Sequence, residues 1–144
     1  MAVLIYRIPK RMYDFSGLPS GGSAIIPMAT GLDMSQVREA VVVVRLHSDS
    51  TNWTNLQSFG VSARLDAPTQ EDPGVDFFGT TDLGTNVGFL QGTDSPPMVK
   101  FFMLTNSTAA NNLPSMIRIV IKGVGGTSAA TFQVSVSVDV YGRS

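Results

Sequence analysis

The sequence of 144 residues contains no cysteine. Disulfide bonds are therefore excluded, and so is any metal site or thiol chemistry that needs a cysteine side chain. A chain of about this length buries roughly 68–70% of the surface of its unfolded form, so it can fold without such links. We predict a single domain over residues 1–144, stabilised by its own apolar core and holding no cofactor.

Charge is also scarce, because charged residues make up 15% of the sequence and the formal net charge is −1. A typical soluble domain has roughly 25% charged residues. Since the centres of protein interfaces are depleted of charge, this composition favours packing against neighbouring subunits. The alternative is an ordinary β domain with an uncharged polar surface. The near-zero net charge argues against nucleic acid as the main partner.

Long apolar runs are missing as well. The longest, residues 40–44, is far shorter than the roughly 20 residues of a membrane-spanning helix, so we predict no membrane partner. The opening apolar stretch, residues 2–6, is too short for a signal peptide, and its basic residues follow it rather than precede it. We therefore expect that the chain is not exported by that route.

Residues with catalytic potential are few. His47 is the only histidine, and its neighbours Ser48, Asp49 and Ser50 are adjacent in sequence, which is not the convergent geometry of a catalytic triad. The carboxylates of Asp72 and Asp76 are of the type that Ca²⁺ binds, but their spacing matches no EF-hand loop. We predict no enzyme and no catalytic or metal-binding residue, with a Ca²⁺ site in that acidic stretch as the alternative.

The sequence is rich in alternating and β-branched segments. From Phe132 to Val140 every second residue is apolar, which predicts a strand with one core face and one solvent-facing side. On this basis Val136 should not tolerate a charge, whereas Ser135 should. Comparable segments occupy residues 2–8, 23–29, 38–48, 56–67, 97–104 and 116–123. We predict an all-β fold, a single β-sandwich, with a jelly roll as one arrangement of it.

Two shorter patterns suggest connections between these strands. Residues 123–126, with the sequence GVGG, have the composition of a hairpin turn that needs positive φ angles. Asp33 and Gln36 have the spacing of a capping box, which predicts at most two helical turns over residues 33–40.

Two segments differ from the strand pattern. Residues 9–22 are punctuated by proline and glycine, and together with residues 2–8 they predict an extended N-terminal arm over residues 1–22. Residues 66–97 form a long excursion with many apolar side chains, which favours an ordered loop with short strands over a disordered one.

The arm and the excursion carry opposite charge. Three basic residues of the arm precede its first acid, Asp14, whereas no lysine or arginine lies between Arg64 and Lys100. We predict that the two segments make contacts between subunits, so that a chain without residues 1–17 would still fold. The predicted contact residues are Arg7, Lys10, Arg11, Tyr13, Phe15, Asp72, Asp76, Phe77 and Phe78. The alternatives are that the two segments pair within one subunit, that both are solvated, or that the termini are strands of the chain's own sheet.

In its small size, lack of cysteine, low charge, abundance of Ser, Thr, Asn and Gly, arm and long loop, the chain resembles virion proteins of tailed bacteriophages. The resemblance is closest to small decoration or cement proteins, and it rests on overall composition and layout, with no residue motif. It implies a non-enzymatic structural subunit on the capsid surface, assembled in the host cytoplasm. The implied partners are copies of the chain itself and other virion proteins such as a major coat protein.

Two alternatives remain open. The chain could be a coat or tail component of the same kind of particle. It could also be a carbohydrate- or receptor-binding β-sandwich module, which would present Trp53, Tyr13 or Tyr141 beside Asn and Asp side chains.

Overall fold

A computed structural model describes residues 2–51, 56–65, 87–90, 92–105, 116–126 and 132–143. Its eight strands are β1 (Val3–Asp14), β2 (Ser23–Asp33), β3 (Glu39–Leu46), β4 (Leu56–Leu65), β5 (Val87–Leu90), β6 (Met98–Thr105), β7 (Met116–Gly125) and β8 (Gln133–Arg143). The predicted all-β class is confirmed for these residues. They contain no helix, and hence none of the length and apolarity that crossing a membrane requires.

The strands form two four-stranded antiparallel sheets that pack together as a sandwich. The first sheet has the order β1-β8-β3-β6, and the second has the order β2-β7-β4-β5. Four antiparallel pairs are nested within each other along the chain: β1 with β8, β2 with β7, β3 with β6, and β4 with β5. Two further pairings, β3 with β8 and β4 with β7, join these pairs into the two sheets.

The core lies between the two sheets, and β8 contributes its apolar face as predicted. Phe132 and the alternate valines of β8 are fully buried. Alternate residues of β3 lie beside them in the same sheet, and alternate residues of β7 contribute to the same core from the second sheet. In the second sheet, the rings of Phe59 and Phe89 stack with their centroids 4.7 Å apart. Burial of each such side chain contributes about 1.5–3 kcal/mol. The valine side of the closing segment is therefore core, which confirms that part of the prediction.

The other side of β8 is less exposed than the alternation predicted. Ser135 has only 1% of its surface exposed and Asp139 has 7%. The reason is that β8 is a central strand, with β1 on one side and β3 on the other, so neighbouring side chains cover both of its faces. The backbone at Ser135 also accepts a bond from His47 N and donates one to Ser50 Oγ. A charge at position 135 is thus not expected to be tolerated.

The predicted N-terminal arm is a strand of the chain's own first sheet over Val3–Asp14, paired with β8. Tyr13 and Phe15 are each only 2% exposed, so the folded chain does not present them to another subunit. Burial raises the pKa of Tyr13. The positive charge of Arg11, which lies over the Tyr13 ring, partly offsets this rise in the pKa. Register shifts in the β1–β8 pairing interrupt the alternation, so the sequence beyond residue 8 does not look like a strand.

The predicted hairpin turn at residues 123–126 is also wrong, because β7 continues to Gly125 and pairs with both β2 and β4. Glycine is needed at position 123 for close packing: a Cβ there would lie 2.7 Å from the ring of Phe15. The ring therefore occupies the space that a side chain on β7 would fill.

The predicted helical turns after Asp33 do not form. Asp33 ends β2, and its Oδ1 accepts a hydrogen bond from Ser35 N at 2.9 Å, in a turn that leads to β3. Such local bonds from aspartate compete with helix formation. They also hold the pKa of Asp33 below its usual value, chiefly through the Ser35 backbone N–H.

Part of the long excursion is described, and it closes one side of the sandwich. Its residues 87–90 form β5, at the edge of the second sheet. Lys100 of β6 donates to Gly88 O at 2.7 Å and to Asp94 Oδ2 at 3.1 Å, and its ammonium lies 5.0 Å from the centroid of the Phe89 ring. Asp94 Oδ2 also accepts from Leu90 N at 2.8 Å. This bonding joins the edge strands of the two sheets.

Candidate binding face

The outer face of the first sheet, which points away from the core, carries a charged half over β1, β8 and β3. At its centre the carboxylate of Asp139 accepts from Arg7 Nε at 3.0 Å and from Arg45 at 2.7 Å. The side chain of Asp139 is only 10% exposed, whereas those of Arg7 and Arg45 are 64% and 39% exposed. The two guanidinium groups therefore cover the carboxylate and present their remaining N–H groups to solvent.

A β-bulge beside this cluster opens a shallow cleft. Between the pairs Ile8–Val138 and Arg11–Val136, two residues of β1, Pro9 and Lys10, lie opposite the single residue Ser137 of β8. Bulges of this kind bend the strand and re-aim its side chains. The resulting cleft has a volume of about 450 Å³. It is lined by Arg7, Ile8, Pro9, Lys10, Arg45, Ser137, Asp139 and Tyr141.

The chemistry of the cleft is that of a weak anion or polar-ligand site. Lys10 lies 2.9 Å from Asp49, and this contact is the main reason why the pKa of Asp49 is below its usual value. The cluster thus combines three basic groups with two carboxylates, Asp49 and Asp139. Exposed ion pairs of this type contribute only about 0–1 kcal/mol each. A ligand would have to compete with carboxylates that are already in place.

Ser137 lines the cleft, and its contact with His47 resembles part of a catalytic geometry. His47 Nε2 lies 2.9 Å from Ser137 Oγ. Among the described residues no carboxylate bonds to His47, and a nucleophilic serine needs such an orienting group as well as free donors for an oxyanion. Because β8 lies between two strands, its backbone N–H groups serve the sheet. The pair therefore joins the end of β3 to β8.

The other half of the outer face, over β6 and β3, is apolar. Val99, Phe101 and Met103 alternate along β6 with 58%, 65% and 47% of their surfaces exposed. Their partners in β3 include Val43, opposite Phe101, and Val41, opposite Met103, and both are half-buried. We call the five residues Val41, Val43, Val99, Phe101 and Met103 the apolar strip. Large apolar side chains gathered on one surface typically mark an interaction site.

The predicted inter-subunit contact residues that the structure describes do not form one exposed surface, since Tyr13 and Phe15 are buried. Arg7 and Lys10 lie at the cleft, where each is paired with an acid of the same chain, and Arg11 lies over Tyr13. The acidic and aromatic residues of the excursion, Asp72, Asp76, Phe77 and Phe78, lie outside the described residues, as does Trp53. In the described part of the chain, no three His, Asp or Glu side chains converge as ligands of a metal ion.

Sequence reasoning missed Asp139, Arg45 and the apolar strip. A signal for the strip was present, since Met98–Thr105 has apolar residues at both alternating sets of positions. Such a strand is apolar on both faces, and only one of them can face the chain's own core. No pattern in the sequence could identify Asp139 as a site residue, because its two arginine partners are distant from it in the sequence.

No protein-family profile matches the chain, and no characterised protein matches it in sequence.

Proposed function

We propose that the chain is a non-enzymatic structural subunit of a large assembly, a bacteriophage virion protein of the decoration or cement type that bridges coat subunits. The observation that carries this proposal is the apolar strip. Val99, Phe101 and Met103 expose about half of their surfaces or more, at a sheet edge, in a chain with little charge. Leaving these side chains in water forgoes burial energy that a neighbouring subunit would supply.

We infer that the sandwich is a jelly roll, which is a topology that agrees with the proposal. In a jelly roll, a long antiparallel hairpin is rolled up so that the first strand pairs with the last, the second with the seventh, and so on inward. The four nested pairs and the orders β1-β8-β3-β6 and β2-β7-β4-β5 fit this arrangement. Viral capsid domains use it, and so do lectins and cupins, so the topology by itself does not select a function.

The partners under this proposal are copies of the chain and a major coat protein, and its place is the capsid surface. The described outer face fits this role better than the predicted arm does, because β1 is part of the chain's own sheet. The charged half would set orientation, since exposed charges steer encounter and suppress wrong partners more than they add affinity. The apolar half would provide most of the affinity.

A size measurement on native material tests the proposal. Density-gradient fractions and electron microscopy should place the chain in particles of virion size. Recombinant protein should bind shells stripped of it, and Phe101→Lys should abolish that binding, whereas the matched change Val3→Lys at the other edge of the same sheet should not. Native chain recovered only as free protein, outside any particle, would contradict the proposal.

His47→Ala tests the non-enzymatic part. Its only side-chain bond in the described residues is to Ser137, so the variant should fold and bind shells like the original chain. A large loss of biological activity with intact fold and binding would instead assign chemistry to the His47–Ser137 pair.

The second candidate function is a carbohydrate- or receptor-binding module, and the cleft favours it. Tyr141 lies at this cleft beside the basic side chains of Arg7 and Arg45, an arrangement suited to an acidic sugar. A glycan array with sialylated and sulfated glycans distinguishes the two functions. Specific binding that Arg45→Met removes, in protein that is not particle-associated, would favour this candidate.

A further inference from the structure

The four sheet edges of the described chain differ in how well they are protected against pairing with another strand. The β1 edge has Pro9, two register shifts and basic side chains, and the β2 edge has Pro27 and two register shifts. The β5 edge is only four residues long. Prolines, bulges, charges and short length are the devices by which proteins protect sheet edges.

The β6 edge lacks all of these devices. Its eight residues pair with β3 in register from Met98 to Thr105 without a shift, and no proline interrupts them. Its single charged residue, Lys100, does not guard the edge, because its ammonium is bonded to Gly88 O and Asp94. No described strand pairs with the other side of β6. A long, straight, apolar edge strand of this kind is a template for pairing with another strand.

We propose that β6 pairs antiparallel with β6 of a second copy of this chain, about a twofold axis at Phe101. The first sheets of the two copies then form one continuous eight-stranded sheet. In this register Phe101 lies opposite Phe101 of the second copy. Val99 of each copy lies opposite Met103 of the other. The outward side chains of the strand are thus self-complementary, and the apolar strips of the two copies become one surface.

The second copy is selected by charge and by register. A twofold axis perpendicular to the sheet keeps outward side chains on the outer face of both copies. A shift of the register by one residue would pair an outward side chain with an inward one, so only every second register is allowed. An axis at Lys100 would place two lysines directly opposite each other, which is destabilising. An axis at Phe102 would leave Val99 opposite Thr105. The axis at Phe101 avoids both and sets each Lys100 opposite Phe102. The formal net charge of −1 also leaves little repulsion between copies.

This inference deepens the proposed function and rests on it, because a two-copy sheet with a joined apolar surface can bridge two neighbouring coat subunits. It also makes a separate statement about the isolated protein, which can be tested without any particle. Failure of the pairing and failure of the virion role are therefore distinguishable.

Cysteine cross-linking tests the register, since the chain has no cysteine of its own. Directly opposed residues in an antiparallel pair have Cα atoms about 4.5–5.5 Å apart, within the range that a disulfide spans. Under mild oxidation F101C should give a covalent dimer, and the matched exposed control V3C should not. V99C alone should not cross-link, because four residues of offset separate the two sites by about 13 Å. A mixture of V99C and M103C should cross-link.

Sedimentation over a range of concentrations tests the association itself. The original chain should dimerise, Phe101→Lys should weaken the dimer by about tenfold or more, and Val3→Lys should leave it unchanged. A chain that stays monomeric, or an F101C that cross-links no faster than V3C, overturns the inference. If the chain does not dimerise but Phe101→Lys still abolishes shell binding, the proposed function stands. The β6 edge would then pair with a strand of the coat protein. Dimers without any particle association would retain the pairing and contradict the virion role.

Discussion

At the β1 edge of the first sheet, Pro9, a bulge and basic side chains interrupt the strand, and Asp139 and Asp49 bind two of those side chains. At the β6 edge, eight residues run straight in register with β3, and every outward side chain from Val99 to Met103 is apolar. Both edges lie on the same sheet and cover the same core. They differ in what they offer to a neighbour.

The difference shows that burial of the core does not determine the edges of a sheet. The inward residues of both strands serve the same interior, with Ile8 and Phe102 each less than a tenth exposed. The outward residues are free of that constraint. On β1, Arg7 and Lys10 are paired with acids from other segments of the chain, whereas on β6 the outward apolar side chains remain exposed. Four changes should break or sharpen this contrast, beginning with the largest expected effect.

Deletion of residues 1–17 removes the whole β1 edge and should prevent folding. Ile8, Tyr13 and Phe15 would be lost from the core, at about 1.5–3 kcal/mol each, and β8 would become an uncovered edge. Their sum is comparable with the total stability of a domain, about 5–15 kcal/mol. Circular dichroism should show loss of the β spectrum and of the cooperative melt. A truncated chain that still melts cooperatively would restore the sequence-based view of a dispensable arm.

Val136→Asp tests the strand β8, which supports the β1 edge directly and the β6 edge through β3. Val136 is fully buried, and an unpaired carboxylate there should cost about 4 kcal/mol or more, so that little soluble protein forms. Phe101→Asp is the matched control, because it places the same charge on an apolar but 65% exposed position of the same sheet. It should melt within a few degrees of the original chain. Equal losses in both variants would mean that the core and outer faces are misassigned.

Asp139→Asn weakens the charged half alone. It leaves Arg7 and Arg45 together without their shared carboxylate, and we expect a loss of about 1–2 kcal/mol in urea denaturation at low salt. The loss should shrink as salt is added, because both arginines are exposed enough to be screened. Asp49→Asn, which breaks only the exposed pair with Lys10, should have a smaller effect. An effect of Asp139→Asn that does not change with salt would argue against an electrostatic role.

Asp94→Asn weakens the bonding that attaches the β6 edge to the second sheet. The pKa of Asp94 lies below its usual value, chiefly because Leu90 N donates to it and also through Lys100. A lowered carboxyl pKa means that its stabilisation is present above the ordinary value of about 3.9 and is lost as pH falls through the folded value. The variant should therefore be less stable by about 1 kcal/mol near pH 7 and equal to the original chain at about pH 2. A difference that persists at acidic pH would show that ionisation of Asp94 is not the cause.

Much of the architecture could be predicted from the sequence because the periodicity of a strand is local. Alternation in Phe132–Val140 and the valine run in β3 are visible in neighbouring residues. Both segments form strands, and the first has the predicted core face. The same local reasoning failed where a distant group decides the outcome. Gly123 is followed by other glycines, as in a turn, but it is required within a strand by the ring of Phe15.

The candidate site was predicted less well than the fold. Arg7 and Lys10 are visible in the sequence as part of a basic cluster, but their partners Asp139 and Asp49 are more than thirty residues away and carry no distinguishing pattern. Tyr13 and Phe15 are predicted as contacts because they are aromatic residues in a segment punctuated by proline and glycine. In the structure a bulge lets β1 continue past Pro9, and both side chains are buried in the core.

By itself the sequence determined that this chain forms β-strands, and which face of its strongest strands is buried, because side-chain alternation and apolar character act over neighbouring residues. Only the tertiary structure decided which strands are central and which are edges. That choice depends on pairings between residues far apart in the chain, such as Leu4 with Tyr141 and Phe101 with Val43. The polar side of β8 is mostly buried, because a central strand has neighbours on both sides. The outer apolar side of β6 stays exposed, because an edge strand has only one neighbour.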